Sequence, residues 1–404
     1  MIYRGHVVTP IAGGWADWPD GRLEVEGDRI RAVGPWRRSG RFVDLRPHIL
    51  FPGLVDTHAH VPQLPICGVH PEDLLTWLRK WTFPLEKRFR GERARDLSRR
   101  FMREMLAQGT TTAALYTSAW PDSVDACFAA ASEAGIHAWI GPPLMDEGAY
   151  RPVTTRRVIA EACALAALDR PKLRFAVTPR FALSCSEELL EACGDLAQAH
   201  DLPVQTHLAE QPEECRAVRR RFGRGYVEVY DRAGLVGPRT IFAHCIWLTA
   251  ADWRRIAHTA VAHCPTSNVF LRSGVMDWRR AQAARVGFGT DVGAGPDLSV
   301  FRVARMAWTV HSLAGQIIDA GDLLRTATLG GASALGFDDV GSLEAGKSAD
   351  FLVLDADHVI PAGAPTTEST EDLLSRILHR TGRSAIRQVY VSGRMVSEVE
   401  PPTG

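Results

Sequence analysis

Two histidines one residue apart, His58 and His60, are the first side chains in this 404-residue sequence that can bind a metal ion together. They follow an apolar segment, residues 51–55, that has the length and composition of a β-strand. Side chains alternate across a strand, so both imidazoles point to the same side and can reach one ion. Because the chain has 14 histidines, a pair of this kind can also arise by chance on a strand end.

Three more residues with metal-binding side chains follow other apolar segments. They are His207, His244 and Asp291, at the ends of segments 203–207, 240–244 and 286–290. Each one taken alone can be a buried core residue, but together they predict a metal site. Imidazole and carboxylate donors suit a borderline divalent ion, Zn²⁺ first, with Fe²⁺ or Mn²⁺ as alternatives. We predict one ion per subunit, because the segment that ends in Thr178-Pro179-Arg180 offers no lysine that can be modified to bridge two ions.

Glu210 lies three residues after His207, in the sequence His-Leu-Ala-Glu. A metal ion lowers the pKa of water, and a carboxylate beside it can take the released proton and pass it to a leaving amine. A glutamate in the first turn of a helix can also simply complement the helix dipole. The position beside a metal ligand favours the catalytic role.

The middle of the sequence alternates apolar strand candidates with amphipathic helices such as residues 187–199. The strand candidates are residues 51–55, 110–116, 137–141, 173–178, 203–207, 240–244, 261–264 and 286–290. This alternation predicts an α/β fold, a (β/α)₈ TIM barrel over residues 51–339. The active site of such a barrel lies at the carboxyl ends of its strands, which is where the metal-binding residues lie.

Both ends of the chain have a different sequence pattern, which predicts short strands separated by turns rich in glycine and aspartate. Strands are predicted within residues 1–50, and again over residues 350–354 and 388–396. We predict that residues 1–50 and 340–404 form one small composite β-sandwich domain that the barrel interrupts.

Composition excludes several classes of partner. Lysine plus arginine and aspartate plus glutamate number 47 each, so nothing in the net charge favours nucleic acid or an anionic membrane. The basic run at residues 216–224 is typical of a solvated helix face. The eight cysteines form no Cys-x-x-Cys pair, and no signal peptide or membrane span is predicted. We therefore expect a soluble, cytoplasmic protein.

The sequence resembles the amidohydrolase superfamily and, within it, the guanine deaminase family, over about residues 51–335. The motifs that carry the resemblance are PGLVDTHAHVPQ, LLTWLRKWTFPLE, GTTTA, VTPRFALSCS, QTHLAE, AHCPTSN, GTDVGAG and ATLGGASALG. The order His-x-His, His, His, Asp identifies the superfamily. The second and fourth motifs indicate the guanine deaminases.

The resemblance implies a role for each candidate site residue. Zinc would be held by His58, His60, His207 and Asp291. The catalytic residues would be Glu210, His244 and Asp291, with His244 near the metal or as a fifth ligand. The substrate would contact Gln63, Arg180, Phe181, His207 and Glu210. From chemistry alone, Gln63 can donate and accept, Arg180 can only donate, and Phe181 can stack on a base. Arg180 can instead form a structural ion pair, and Phe181 can simply pack in the core.

The implied reaction is hydrolytic deamination of guanine to xanthine and ammonia, a step of purine catabolism, in a homodimer that binds a small-molecule purine. Two alternatives stay open. The chain can deaminate another heterocycle, such as 8-oxoguanine, a pterin or a triazine, because Gln63 and Arg180 recognise one edge of a molecule. It can also be a non-catalytic, metal-stabilised binding module, although Glu210 and Asp291 weigh against that.

Overall fold

Strands and helices alternate in the middle of the chain, and strands predominate at both ends. The computed structural model describes residues 1–38, 40–70, 73–148, 150–365 and 369–398. The strands are β1 (Ile2–Ile11), β2 (Gly14–Glu26), β3 (Arg29–Pro35), β4 (Phe42–Pro52), β5 (Leu54–His60), β6 (Thr110–Tyr116), β7 (His137–Gly141), β8 (Leu173–Phe175), β9 (Val204–Leu208), β10 (Thr240–His244), β11 (Ala260–His263), β12 (Arg285–Phe288), β13 (Phe351–Leu354), β14 (Ile386–Val391) and β15 (Arg394–Glu398).

The helices connect these strands and cover the parallel sheets. They are α1 (Leu74–Trp77), α2 (Phe83–Arg88), α3 (Gly91–Ala107), α4 (Pro121–Ala134), α5 (Thr155–Ala166), α6 (Glu187–Ala199), α7 (Pro212–Phe222), α8 (Tyr226–Arg232), α9 (Ala250–Arg255), α10 (Pro265–Phe270), α11 (Trp278–Ala281), α12 (Val300–Leu313), α13 (Ala320–Arg325), α14 (Gly331–Leu335), α15 (Ala356–Val359) and α16 (Thr370–Arg380). Short 3₁₀ segments span Val61–Ile66, Ala182–Ser184 and Arg383–Ala385, and π-helical turns span Leu78–Thr82 and Thr326–Gly330.

Eight of the strands form two parallel sheets, in the orders β5-β6-β7-β8 and β12-β11-β10-β9. The register places His60 opposite Tyr116 and His207 opposite Ala243. A parallel bridge between Val177 and Val204 connects the chain beyond β8 to β9. Parallel strands separated by helices confirm the predicted α/β class.

Strand β12 lies against β5, and two glycines make the close approach possible, Gly287 within β12 and Gly289 just after it. A Cβ atom on Gly289 would lie 2.7 Å from the Cβ of His58, and one on Gly287 would overlap Thr57. Beyond β12, the backbone N–H of Asp291 donates to the carbonyl of His58 at 2.8 Å. This close approach brings an aspartate from the end of the barrel segment to the first histidine.

Strands β6, β7 and β10 and helix α6 have the bounds that the sequence predicts. The predicted strand 51–55 is wrong in its bounds, because Phe51 and Pro52 end β4 and β5 begins only at Leu54. Phe51 and Pro52 pair instead with Leu352 and Phe351 of β13. As a result, both histidines of the His-x-His pair lie within a strand.

Both chain ends join in one seven-stranded mixed sheet with the order β15-β14-β13-β4-β1-β2-β3. Pairing of β1 with β4 is parallel, and the other pairs are antiparallel. Phe351 and Tyr390 stack at 4.2 Å between ring centroids, with Tyr3 edge-on to both. The second layer that a sandwich requires stays a prediction.

The outer helices agree with the amphipathic patterns of the sequence. Phe101 and Met105 of α3 are buried, and the basic run of α7 lies on its exposed side. Within the described ranges, no helix is both long enough and apolar enough to span a membrane.

Candidate active site

Four histidines and one aspartate converge at the carboxyl ends of the parallel strands, and we call them the ligand cluster: His58, His60, His207, His244 and Asp291. The Nε2 atoms of His58 and His60 are 3.2 Å apart. They lie 3.3 and 3.2 Å from Asp291 Oδ1. His207 Nε2 lies 3.3 Å from His60 Nε2. His58, His207, His244 and Asp291 each offer one ligand atom, all within 4.8 Å of one another.

The outer hydrogen bonds of the cluster fix which ring nitrogens face inward. His58 Nδ1 lies 2.9 Å from Gln205 Oε1, and His207 Nδ1 lies 2.6 Å from the carbonyl of Arg180. An oxygen of this kind accepts, so each Nδ1 donates and each Nε2 keeps an unshared pair. Nε2 of His60 lies 3.2–3.3 Å from both of these nitrogens, and Asp291 Oδ1 lies within 3.3 Å of Nε2 of His58 and of His60. The donor set therefore fits a divalent metal ion.

The surroundings of His60, His207 and Asp291 favour the protonation states in which these side chains bind a metal. Burial lowers the pKa of His60 to about 4 and, with the neighbouring histidines, holds the pKa of His207 well below its ordinary value. Burial alone raises the pKa of Asp291, but the contacts with His58 and His60 outweigh it and hold that pKa well below the ordinary range. Neutral imidazoles and an anionic carboxylate are the forms that bind a metal.

His244 and Glu210 face each other beside the cluster. Glu210 Oε2 lies 3.6 Å from His244 Nε2, which is 3.9 Å from Asp291 Oδ2. Burial raises the pKa of Glu210 to about 7. Burial lowers the pKa of His244, but the charges of Glu210 and Asp291 outweigh it and raise that pKa overall. Glu210 can therefore exchange a proton near neutral pH, as a general acid–base residue must.

Three polar side chains at and just beyond α10 each hold one of these groups. Ser267 Oγ donates to Asp291 Oδ2 at 2.5 Å, His244 Nδ1 donates to Asn268 Oδ1 at 2.9 Å, and Ser273 Oγ donates to Glu210 Oε1 at 3.1 Å. Sequence reasoning missed all three. Ser267 and Asn268 belong to the quoted motif AHCPTSN, and polar residues directly after an apolar strand were the available signal.

The opposite side of the site is a hydrogen-bonded group that we call the Glu86 network: Gln63, Glu86 and Arg180. Gln63 Nε2 donates to Glu86 Oε1 at 3.1 Å, and Arg180 Nη1 donates to Glu86 Oε2 at 2.5 Å. The backbone N–H of Gly293 donates to Gln63 Oε1 at 3.3 Å. Sequence analysis predicted Gln63 and Arg180 and missed Glu86, although it ends the motif LLTWLRKWTFPLE.

One cavity of about 440 Å³ joins the two sides. Its lining residues are His60, Gln63, Leu74, Trp77, Leu78, Arg180, Phe181, His207, Glu210, Glu214, His244, Leu271, Asp291 and Ala294. The structure thus brings every predicted site residue to this cavity except His58, which lies behind His60. Glu86 also lies behind the lining, where it bonds Gln63 and Arg180. A lining of aromatic and apolar side chains with a few convergent polar groups is typical of a site for a small organic molecule.

Two residues of the ligand cluster have strained backbones. His244 has φ of 71° and Asp291 has φ of 48°, in the left-handed region. Such conformations cost about 1 to 3 kcal/mol each and concentrate at functional sites. The hydrogen bond from Asp291 N–H to the carbonyl of His58 helps to hold the second of them.

Comparison with known proteins gives consistent matches. The model of the Amidohydrolase family matches residues 49–396. A guanine deaminase from Escherichia coli is 35% identical over 94% of this chain and 91% of its own length. A solved structure of E. coli guanine deaminase superposes with a TM-score of 0.93 at 33% identity, covering 99% of this chain and 100% of the other. Guanine deaminase from C. acetobutylicum, solved with guanine bound in its active site, has a TM-score of 0.91 at 28% identity, with coverage of 98% and 99%.

Proposed function

Because this chain belongs to the amidohydrolase family, we propose that it hydrolyses guanine to xanthine and ammonia. The observation that carries the proposal is a single cavity with the ligand cluster and Glu210 on one side and two purine-edge donors, Gln63 and Arg180, on the other. The similarity to guanine deaminases over nearly the whole chain supports the same substrate.

We further propose one Zn²⁺ per subunit, held by His58, His60, His207 and Asp291, with His244 beside it. Three imidazoles and a carboxylate are donors that zinc favours, and Fe²⁺ and Mn²⁺ are the alternatives. Such an ion lowers the pKa of water, so that a nucleophile is available near neutral pH.

The protein's own residues handle the protons of the reaction. Water adds to C2 of guanine, and Glu210 accepts the proton that this water loses. Glu210 then passes that proton to the ring nitrogen next to C2. The hydroxyl group of the tetrahedral intermediate loses the second proton, which Asp291 and Glu210 pass to the exocyclic amine, so that the C2–N bond breaks, the C2 carbonyl forms and ammonia leaves. His244 hydrogen-bonds the oxygen that becomes negatively charged in the tetrahedral intermediate. A pKa of about 7 for Glu210 suits both proton transfers.

Substrate recognition is assigned to the other side of the cavity. Gln63 can donate to and accept from the purine edge, and Arg180 can donate to O6 or N7. Phe181 is 8% exposed and lines the cavity, where its ring can pack against the base.

Ammonia release from a panel of amines by the zinc-loaded protein tests the function. We expect guanine to be the fastest substrate and xanthine to be its product, identified by ultraviolet spectrum and chromatography. Much faster turnover of 8-oxoguanine, a pterin or a triazine would assign the chain to another substrate. Ammonia release from none of the amines would favour a metal-stabilised binding module.

We also propose that the two parallel sheets close into one (β/α)₈ barrel over residues 51–339. The contact of β12 with β5 and the bridge between Val177 and Val204 support this. Residues 1–50 and 340–404 would form a composite β-sandwich domain, joined to the barrel near Gly53. A homodimer, a cytoplasmic location and a role in purine catabolism are proposed from the family resemblance.

A further inference from the structure

Glu86 is a buried carboxylate that the proposed mechanism does not use. Its side chain is 0% exposed, and its two oxygens accept hydrogen bonds from two different residues, Gln63 and Arg180. Those partners are 23 positions before and 94 positions after it in the chain. A buried charge is costly unless it is paired, so a carboxylate at this position needs both partners.

The two neighbours of Gln63 fix the orientation of its amide. A carboxylate only accepts hydrogen bonds, so Nε2 must face Glu86. The N–H of Gly293 only donates, so Oε1 must face Gly293. The opposite orientation would set two acceptors against each other at Glu86 and two donors against each other at Gly293. One N–H of Nε2 and one lone pair of Oε1 remain for a ligand.

The guanidinium of Arg180 is fixed in the same way. Nη1 is bound to Glu86, and Cζ lies 5.1 Å from the ring centroid of Phe83, on the same helix as Glu86. Arg180 is 2% exposed, so without Glu86 its charge would be buried and unpaired. With Glu86 present, the pair is neutral overall and can face a neutral base.

We propose that Glu86 is a positioning residue that sets which hydrogen-bonding groups of Gln63 and Arg180 face the base, and thereby selects a 6-oxopurine over a purine without that oxygen. This inference rests on the proposed function and assigns part of its substrate selectivity to a side chain outside the cavity lining. Glu86 acts through Gln63 and Arg180, and its carboxylate takes no part in bond making.

The test compares Glu86→Gln with the wild-type protein, both loaded with zinc. Hypoxanthine keeps the 6-oxygen and purine lacks it, so the ratio of their inhibition constants against guanine measures the selectivity. We expect this ratio to fall about tenfold in Glu86→Gln, the size of effect of one charge-assisted hydrogen bond. We expect KM for guanine to rise by more than kcat falls, with zinc content unchanged.

Two further variants separate positioning from a general loss of a buried ion pair. Glu86→Asp keeps the charge and should recover part of the lost selectivity. Glu161→Gln breaks the ion pair with the buried Arg151, which lies outside the catalytic cavity, and should leave the inhibition ratio within about twofold. Adding Glu86→Gln to Gln63→Ala should change the ratio by much less than it does alone, because residues acting as a unit are non-additive.

Each outcome decides one question. If wild-type protein releases no ammonia from guanine, the proposed function fails. If wild-type protein is active and Glu86→Gln keeps the same inhibition ratio, this inference alone is overturned. Loss of zinc from Glu86→Gln would also overturn it, since the effect would then lie in the ligand cluster. If Glu86→Gln does not fold, the inhibition ratio of Glu86→Asp decides, and a wild-type ratio there overturns the inference.

Discussion

The two sides of the cavity are built from different parts of the fold. The ligand cluster comes from strands β5, β9 and β10 and from the residues just beyond β12, within two parallel sheets. The Glu86 network comes from a 3₁₀ segment, the six-residue helix α2 and the chain after β8. Three of the four proposed metal ligands thus lie within strands, whereas the residues proposed for recognition lie on connecting segments, which tolerate change more readily.

The two sides also differ in how their charges are balanced. The ligand cluster has one carboxylate, Asp291, among four histidines, and the proposed metal ion is the cation that would balance it. The Glu86 network balances itself, with one arginine and one glutamate. Removal of the proposed metal should therefore disturb the structure of the ligand cluster strongly and that of the Glu86 network little.

Removal of the metal should produce the largest effect. Dialysis against a chelator is expected to abolish turnover of guanine, because the proposed reaction needs the metal ion to make a nucleophile of water near neutral pH. Added Zn²⁺ should restore activity and raise Tm, since an ion that binds only the folded state stabilises it. Metal content by elemental analysis, measured with Tm and ammonia release, checks this; full activity in metal-free protein would contradict it.

Glu210→Gln should have the next largest effect. The amide cannot accept the proton from water, so kcat should fall by roughly 10³-fold, within the range known for general acid–base residues. Zinc content should stay near that of the wild-type protein, because the proposed ligands do not include Glu210. Steady-state kinetics together with elemental analysis measure both, and a loss of zinc would assign Glu210 to the metal instead.

Arg180→Ala should lower kcat/KM for guanine by about 10²-fold through the other side of the cavity. The change removes a donor to the base and leaves Glu86 buried without its cation. Zinc content should be unaffected, because His207 bonds only the backbone carbonyl of Arg180. The same kinetic assay applies, and an unchanged kcat/KM would exclude Arg180 from the substrate site.

Asn268→Ala should have the smallest effect, about a tenfold fall in kcat. It removes the acceptor for His244 Nδ1, which keeps Nε2 directed toward Glu210 and Asp291. Asn268→Asp keeps an acceptor oxygen and serves as the matched control, with activity closer to wild type. Equal loss in both variants would show that the Asn268 side chain acts through packing rather than through this hydrogen bond.

The ligand cluster could be predicted from the sequence more completely than the Glu86 network. Residues of the ligand cluster stand at the ends of apolar segments, a local pattern, and strands β6, β7 and β10 follow the predicted bounds. Glu86 lies in the sequence Leu-Glu-Lys-Arg, which is typical of an exposed helix turn. Its burial depends on Gln63 and Arg180, far away in the chain, and no local pattern reports such a pairing.

The same reason accounts for the error at the start of the barrel segment. Residues 51–55 are one apolar run in the sequence, and only the pairing of Phe51 with Leu352, about 300 positions later, divides the run between β4 and β5. Long-range pairing decides the bounds of a strand wherever the local pattern is continuous.

The backbone and the side chain of Arg180 contact different sides of the cavity, and this has a practical consequence for changing the substrate range of this protein. Its backbone carbonyl orients His207, and its side chain belongs to the Glu86 network. Every amino acid has that carbonyl. A library of substitutions at position 180, paired with changes at position 86, can therefore vary the recognised base while His207 of the ligand cluster keeps its hydrogen-bond acceptor. Engineering of selectivity and preservation of catalysis can therefore be pursued at the same residue.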